Sequence, residues 1–290
     1  MSSPVSFSYQ QLWHRLVPLY EAGEARAVVR TLLADGYGLS LADVLSGGLD
    51  HLPAERAAAL EQQMQRLERA EPVQQVLGFA WFCGRRYSVT RDVLTPRPET
   101  EELCRWIALD MSQQPSPVVA DVGTGSGCIA CTLALDLAGA AVTAIDVSAA
   151  ALGVARANAA ALGARLRLVE ADVLSPASAD AHVLAPASCH VVVSNPPYIA
   201  LGERAAMHRN VLDYEPHQAL FVPDDDPLLF YRAIASHARR WLRPGGRLYF
   251  ELNPQHATAT ARLLDELGYA DVELRRDACG RQRMASARLE

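Results

Sequence analysis

Beyond Pro117 the chain alternates short apolar, β-branched runs with helical stretches, and this alternation restricts the possible folds more than any other feature. Residues 118–122 read as a buried strand, 127–137 as a helix, 141–147 as a strand and 148–162 as a helix. Strands follow at 165–170 and 189–194, then a helix at 228–242, a strand at 246–252 and a helix at 256–267. Two last strands, 271–276 and 282–289, are joined by too few residues for a parallel crossover, so one of them runs antiparallel. The expectation is an α/β fold: a seven-stranded, mostly parallel sheet with helices on both faces.

The first seventy residues have helical periodicity and no strand-like alternation. Leu12, Leu16 and Leu19 mark one apolar face, and Ala27, Val28, Leu32 and Leu33 another. Ser40 stands where it caps a helix through Leu41 and Val44, and Pro53 opens a longer one with Leu60, Met64 and Leu67 inside. A small helical bundle over 1–72 is expected, serving either as a stabilising appendage or in substrate binding. Residues 73–98 form a linker with a hairpin over Phe79–Phe82 and Tyr87–Val89, and 99–290 form the α/β domain.

Composition removes several chemistries. All 27 basic residues are arginine, so a Walker-type phosphate loop, a Schiff-base lysine and a kinase strand lysine are all excluded. The net charge of −6 argues against a general nucleic-acid coat, and no direct nucleic-acid binding is expected. Six cysteines in 290 residues are too sparse for a disulfide-framed secreted domain. Cys128 and Cys131 read as small core residues of one helix, and the eight histidines include no HExxH pair, so no metal is expected. The first residues lack a basic leader with an apolar core, and no stretch reads as a membrane span. A cytoplasmic, monomeric protein is expected.

The chemistry gathers at the predicted strand ends. Asp121, Gly123, Thr124, Gly125, Ser126 and Gly127 lie between the first strand and its helix. Glycines there let backbone approach a ligand, and the helix N-terminus offers free N–H groups. The G-x-G-x-G spacing differs from the dinucleotide G-x-G-x-x-G pattern. Asp146 ends the next strand, where a carboxylate accepts from both ribose hydroxyls or else caps the following helix. Asp172 ends the third, where it suits an exocyclic adenine amine.

The fourth strand runs into Asn195-Pro196-Pro197-Tyr198. Two prolines donate no hydrogen bond and hold the chain extended, leaving the Asn195 carboxamide oxygen and the Pro196 carbonyl as acceptors. Two rigid acceptors suit an NH₂ group on a planar carbon, with Tyr198 packing against that plane. An amide nitrogen is a poor nucleophile, so gripping it and aiming its lone pair is catalysis by positioning. The alternative is a Pro-Pro turn with Asn195 as a local cap. Glu99 and Glu101 either line the site or complement a helix dipole, and Arg97 meets a ligand or packs on the hairpin.

The glycine turn with Asp146 resembles the S-adenosylmethionine site of class I, Rossmann-like methyltransferases, and Asn195-Pro-Pro-Tyr198 resembles their amino-group motif. A narrower resemblance is to the protein-(glutamine-N5) methyltransferases that modify peptide chain release factors. It is carried by Thr95-Pro-Arg-Pro-Glu-Thr100, Asp213-Tyr-Glu-Pro216, Phe230-Tyr-Arg232 and the ending from Arg276 to Arg283. It implies that Gly123 to Gly127, Asp146, Asp172, Val173 and Asn195 contact S-adenosylmethionine, with S-adenosylhomocysteine as product. It also implies that Asn195 to Tyr198 hold the glutamine of a release factor's Gly-Gly-Gln loop; Asp213–Glu215, apart from the resemblance, read as ordering a loop over the substrate. Two departures are visible: Pro223-Asp-Asp-Asp-Pro227 stands where the family often has a glycine-rich turn, and Val173 where some members have a larger side chain. Rival readings are the same chemistry on a large-subunit ribosomal protein, methylation of a nucleic-acid amino group, and a non-enzymatic binding module.

Overall fold

The computed structural model describes residues 8–176 and 183–290, which divide into two compact units. One comprises the chain up to Phe79 together with His208–Tyr214, the other Ala80–Met207 with Glu215–Glu290.

The first unit is helical. It contains α1 (Tyr9–His14), α2 (Ala22–Thr31), α3 (Leu41–Leu45), α4 (Ala54–Leu67) and α5 (Val73–Leu77), joined by α9 (Arg209–Leu212). Ser8 and Ser40 each build a capping box, with Gln11 and Asp43 as partners, which satisfies the N–H groups at two helix starts. The expected apolar faces meet in one core where Leu12, Leu16, Leu32, Leu33, Leu60, Met64 and Leu67 are fully buried. Arg15 reaches Glu61 at 2.7 Å and Glu68 at 2.6 Å, tying α1 to the far end of α4.

Two features differ from the sequence expectation. The segment placed in the hairpin linker begins with α5, which Pro72 precedes as a helix start, and its Val73 and Val76 are buried in the helical core. Residues 208–214, expected within a continuous α/β domain, pack instead with the helices. The Tyr214 hydroxyl donates to the Arg69 carbonyl (2.9 Å), and Gln75 Nε2 donates to the Tyr214 carbonyl (3.0 Å). Neither contact has a local sequence signature, because each spans over 130 residues.

In the second unit, the hairpin β1 (Phe79–Phe82) and β2 (Arg85–Ser88) leads to α6 (Pro98–Asp110). Then come β3 (Val118–Val122), α7 (Cys128–Asp136), β4 (Ala141–Asp146), α8 (Ala149–Leu162), β5 (Leu166–Glu170) and β6 (Cys189–Ser194). Two short strands, β7 (Ile199–Ala200) and β8 (Phe221–Val222), pair in parallel and were not expected. The chain ends with α10 (Leu229–Trp241), β9 (Leu242–Glu251), α11 (Ala257–Glu266), β10 (Tyr269–Arg276) and β11 (Gln282–Leu289).

The main sheet has seven strands in the order β10-β11-β9-β6-β3-β4-β5, and β11 is antiparallel to both neighbours, as the short connection requires. Alternation along each strand divides the core between two faces. Ala120, Val122, Val192, Leu248 and Phe250 pack against Tyr231, Ile234 and Trp241 of α10 and Leu264 of α11. Val119, Val191, Val193 and Tyr249 pack on the other side against Leu103 and Ile107 of α6 and Ile129 and Leu133 of α7. Cys128 and Cys131 belong to that second core. No helix among the described residues is long and apolar enough to cross a membrane.

Asp121 fixes the turn after β3. Its Oδ2 accepts from the Thr124 hydroxyl (2.6 Å) and the Ala130 N–H (3.1 Å), while Oδ1 is buried without a partner. Burial lifts this carboxyl to about 7 against the opposing effect of those two bonds. Between pH 4 and 7 the native chain then holds a proton that the unfolded chain has released, so this group makes stability fall as pH rises. Urea unfolding across that range is expected to show the wild-type advantage over Asp121→Asn shrinking toward pH 7; a growing advantage refutes the assignment.

Candidate functional site

Parallel pairing levels the ends of the central strands. Val122 of β3 stands beside Ile145 of β4 and Ser194 of β6, and Ser194 stands beside Phe250 of β9. The order reverses at β3, where the chain winds outward to β4 on one side and β6 on the other. A crevice opens at the carboxyl ends of strands at such a point. The cavity there measures about 310 Å³.

Of the residues singled out in the sequence, Gly123 to Ser126, Asp146, Asp172, Val173 and Asn195 to Pro197 line this cavity. Gly127 and Tyr198 do not. Gly127 has φ +78°, and a Cβ added to it would lie 3.0 Å from that of Ala155, so here glycine serves the packing of the turn on α8. Tyr198 packs against the sheet core, and its hydroxyl donates to Glu251 Oε1 at 3.2 Å.

The glycine turn is held by more internal bonds than expected. Asp146 Oδ2 accepts from the Gly125 N–H (2.8 Å) and Oδ1 from the Ser148 N–H (2.9 Å). One amide of the turn, Gly125, and one at the start of α7, Ala130, are thus taken by Asp146 and Asp121. The cap of α8 is Ser148, whose hydroxyl accepts from Ala151 N–H at 3.2 Å, so Asp146 is not needed for that role. Asp146 keeps acceptor capacity beyond these bonds, and burial raises its carboxyl above the usual range against backbone bonds from Ser148, Gly125 and Val147. Asp172 lies two residues past the end of β5, with Oδ1 accepting from the Leu174 N–H at 2.9 Å.

At the other end, Asn195 Nδ2 donates to Thr100 Oγ1 (3.3 Å), and Thr100 Oγ1 donates to Glu251 Oε2 (2.6 Å). Thr100 and Glu251 are 2% and 1% exposed. Burial raises the Glu251 carboxyl, opposed by the Thr100 bond and by the charge of Arg283. Asn253 Nδ2 donates to the Tyr198 carbonyl (3.1 Å) and pins the end of the proline segment. Of these three supports, Thr100 closed a motif that carried the resemblance but was given no role, and Glu251 and Asn253 were not singled out. The available signal was a polar Glu251 and Asn253 closing an apolar strand, which periodicity alone treats as a strand end.

Arg97 lines the cavity and also has a partner the sequence did not suggest. Its Nη2 donates to Glu215 Oε2 at 2.5 Å, and the Glu215 side chain is 1% exposed. Burial raises the Glu215 carboxyl, and Arg97 holds it down. Glu101 accepts from the Cys83 N–H (3.0 Å) and pairs with Arg105, so it anchors the hairpin to α6. Asn158 of α8 joins Ser88 of the hairpin to Ser126 of the turn through three bonds of 2.7–3.0 Å.

This cavity therefore offers a half-buried carboxylate with spare acceptor capacity and an oriented carboxamide oxygen, with apolar lining that includes Val173, Phe230 and Ile234. Such a set fits a polar, elongated ligand carrying a diol, placed next to a planar NH₂ group.

Comparison with known proteins gives the same picture. Residues 18–78 match the PrmC N-terminal domain, and residues 104–213 match the methyltransferase small domain. The chain is 40% identical to the release factor glutamine methyltransferase of Bacteroides thetaiotaomicron, over 94% of this chain and 95% of that protein. It is 43% identical to the protein of the same name from Cereibacter sphaeroides, over 92% of each. In fold it resembles a Pyrococcus furiosus methyltransferase, with a TM-score of 0.50 at 18% identity over 81% of this chain and 98% of the other. It also resembles the T. thermophilus 16S rRNA N2 G1207 methyltransferase, with a TM-score of 0.51 at 17% identity over 73% and 50%. By its similarity to the full-length relatives, the chain belongs to the release factor glutamine methyltransferase family.

Proposed function

We propose that the protein methylates the side-chain amide nitrogen of the glutamine in a release factor's Gly-Gly-Gln loop, using S-adenosylmethionine and releasing S-adenosylhomocysteine. The observation that carries this reading is the orientation of Asn195. Its NH₂ is engaged by Thr100, so its carbonyl oxygen is the group left for the cavity, beside two prolines that donate nothing. The names of its relatives supply the substrate.

Asp146 is the residue to hold the ribose diol, and the Gly123–Ser126 turn, Asp172 and Val173 the remainder of the cofactor. When bound, S-adenosylmethionine supplies a methyl group on a positively charged sulfur, open to direct displacement. Asn195 Oδ1 and the Pro196 carbonyl accept the two N–H bonds of the glutamine amide, which localises its lone pair and restricts the nitrogen to an attacking orientation. Once alkylated, the nitrogen is cationic and loses a proton readily, so no strong general base is needed. The helical unit, with its own family match, is the part we assign to recognition of the protein substrate. The net charge of −6 favours a protein acceptor over nucleic acid.

Three measurements test this. Incubated with S-adenosylmethionine, the protein should add one methyl to the Gly-Gly-Gln glutamine of an unmodified release factor and none to a large-subunit ribosomal protein or a DNA duplex, read by peptide mass spectrometry. Transfer only to one of the other two acceptors moves the substrate. Asn195→Ala should lose roughly 10²–10³-fold in kcat, comparable to removing one group that stabilises a transition state. A wild-type rate in that variant refutes the grip. Asp146→Ala should weaken S-adenosylmethionine binding by roughly 10- to 100-fold in calorimetry, the worth of hydrogen bonds to a charged acceptor. Unchanged affinity removes Asp146 from the cofactor site.

A further inference from the structure

Glu251 poses a question that the proposed chemistry leaves open. It is a carboxylate at 1% exposure, it does not line the cavity, and no step of the methyl transfer uses it. Burying such a group is costly unless its partners compensate. Its place follows from register: Phe250 pairs with Ser194, so Glu251 and Asn195 each stand one residue beyond that pair on neighbouring parallel strands. Thr100, in the first turn of α6, stands between them in the hydrogen-bond chain.

We propose that Glu251 is a positioning residue that sets, through Thr100, which end of the Asn195 carboxamide faces the substrate. This inference rests on the glutamine-amide reading of the site. A carboxylate only accepts hydrogen bonds, and both Glu251 oxygens do so: Oε2 from Thr100 at 2.6 Å and Oε1 from Tyr198 at 3.2 Å. A hydroxyl has a single proton. With that proton committed to Glu251, Thr100 offers only lone pairs to Asn195, which must turn its NH₂ toward Thr100 and its C=O away.

The need for such a device is steric. The two ends of a carboxamide have nearly the same size and shape, so packing alone does not choose between them. The choice nevertheless decides function. An outward oxygen accepts from a substrate NH₂, whereas an outward NH₂ opposes donor to donor and leaves both unpaired. Burial pushes the Glu251 carboxyl up, and against it the Thr100 and Tyr198 bonds and the charge of Arg283 favour the ionised, acceptor-only form on which the polarity of the chain depends. Tyr198 takes the second oxygen and so fixes the carboxylate from the opposite side.

The test uses Thr100→Val, which keeps the shape and removes the relay, Thr100→Ser, which keeps the hydroxyl, and Glu251→Gln, whose NH₂ can reverse the chain. Thr100→Val and Glu251→Gln should each lower kcat for release-factor methylation by roughly 10- to 100-fold. The Kd for S-adenosylmethionine should stay within about twofold, and Thr100→Ser should restore most of the rate. The Asn195 side-chain NH₂ signals, identified in ¹H–¹⁵N spectra by their loss in Asn195→Ala, should shift in Thr100→Val and Glu251→Gln and return in Thr100→Ser. A wild-type rate in Thr100→Val and Glu251→Gln, a serine variant as slow as the valine one, or unmoved Asn195 signals would overturn the relay. If the wild-type protein methylates no release factor, the functional reading fails, and the Asn195 signals alone then decide the relay.

Discussion

Parallel pairing of β3 with β4 on one side and β6 on the other determines where polar chemistry can exist in the α/β unit. Helices cover both faces of the central strands, so their side chains are apolar in either direction. Carboxylates and carboxamides are tolerated only where each strand ends, and the common register brings those ends to one level. Asp121, Asp146, Asn195 and Glu251 all sit within one residue of such an end. They form one site because the sheet is flush, although 130 residues separate the first from the last.

These polar groups divide by what they support. Asp146 takes the Gly125 N–H, and Asp121 the Thr124 hydroxyl and the Ala130 N–H of α7, giving the glycine turn a fixed shape before any ligand arrives. Glu251 and Asn253 do the same for the proline segment from the β9 side. Arg97 and Glu215 join the strap before α6 to the loop after α9. Preorganisation of this kind lets a site act by orientation, since little remains to be ordered when reactants meet.

Much of this was legible in the sequence, for physical reasons that also mark its limits. The order of strands and helices followed from period-two and period-3.6 patterns, which burial imposes locally. Strand β9 begins at Leu242, four residues before the expected Gly246, because its start pairs irregularly with β6 and lacks a clean apolar alternation. Asp146 and Asn195 were found because glycine and proline mark unusual backbone beside them. Glu251 carries no such mark, and Thr100 ends a proline-marked motif that assigned it no role; their meaning is a contact between residues 151 apart in sequence. Tyr198 illustrates the converse, a residue inside a readable motif whose side chain turns to the core. Arg97 was ambiguous for the same reason, since its partner Glu215 lies 118 residues away.

The packing of His208–Tyr214 with the N-terminal helices has a consequence for how the protein is put together. The polypeptide passes from one unit to the other at three places, so neither unit is a contiguous stretch of chain and no single cleavage separates them. A fragment ending at Phe79 would leave the Arg69 carbonyl and the Gln75 amide without Tyr214. During synthesis the helical unit also receives its last segment only after residues 80–207 of the α/β unit have been made, so its own folding cannot be completed from the N-terminal stretch alone.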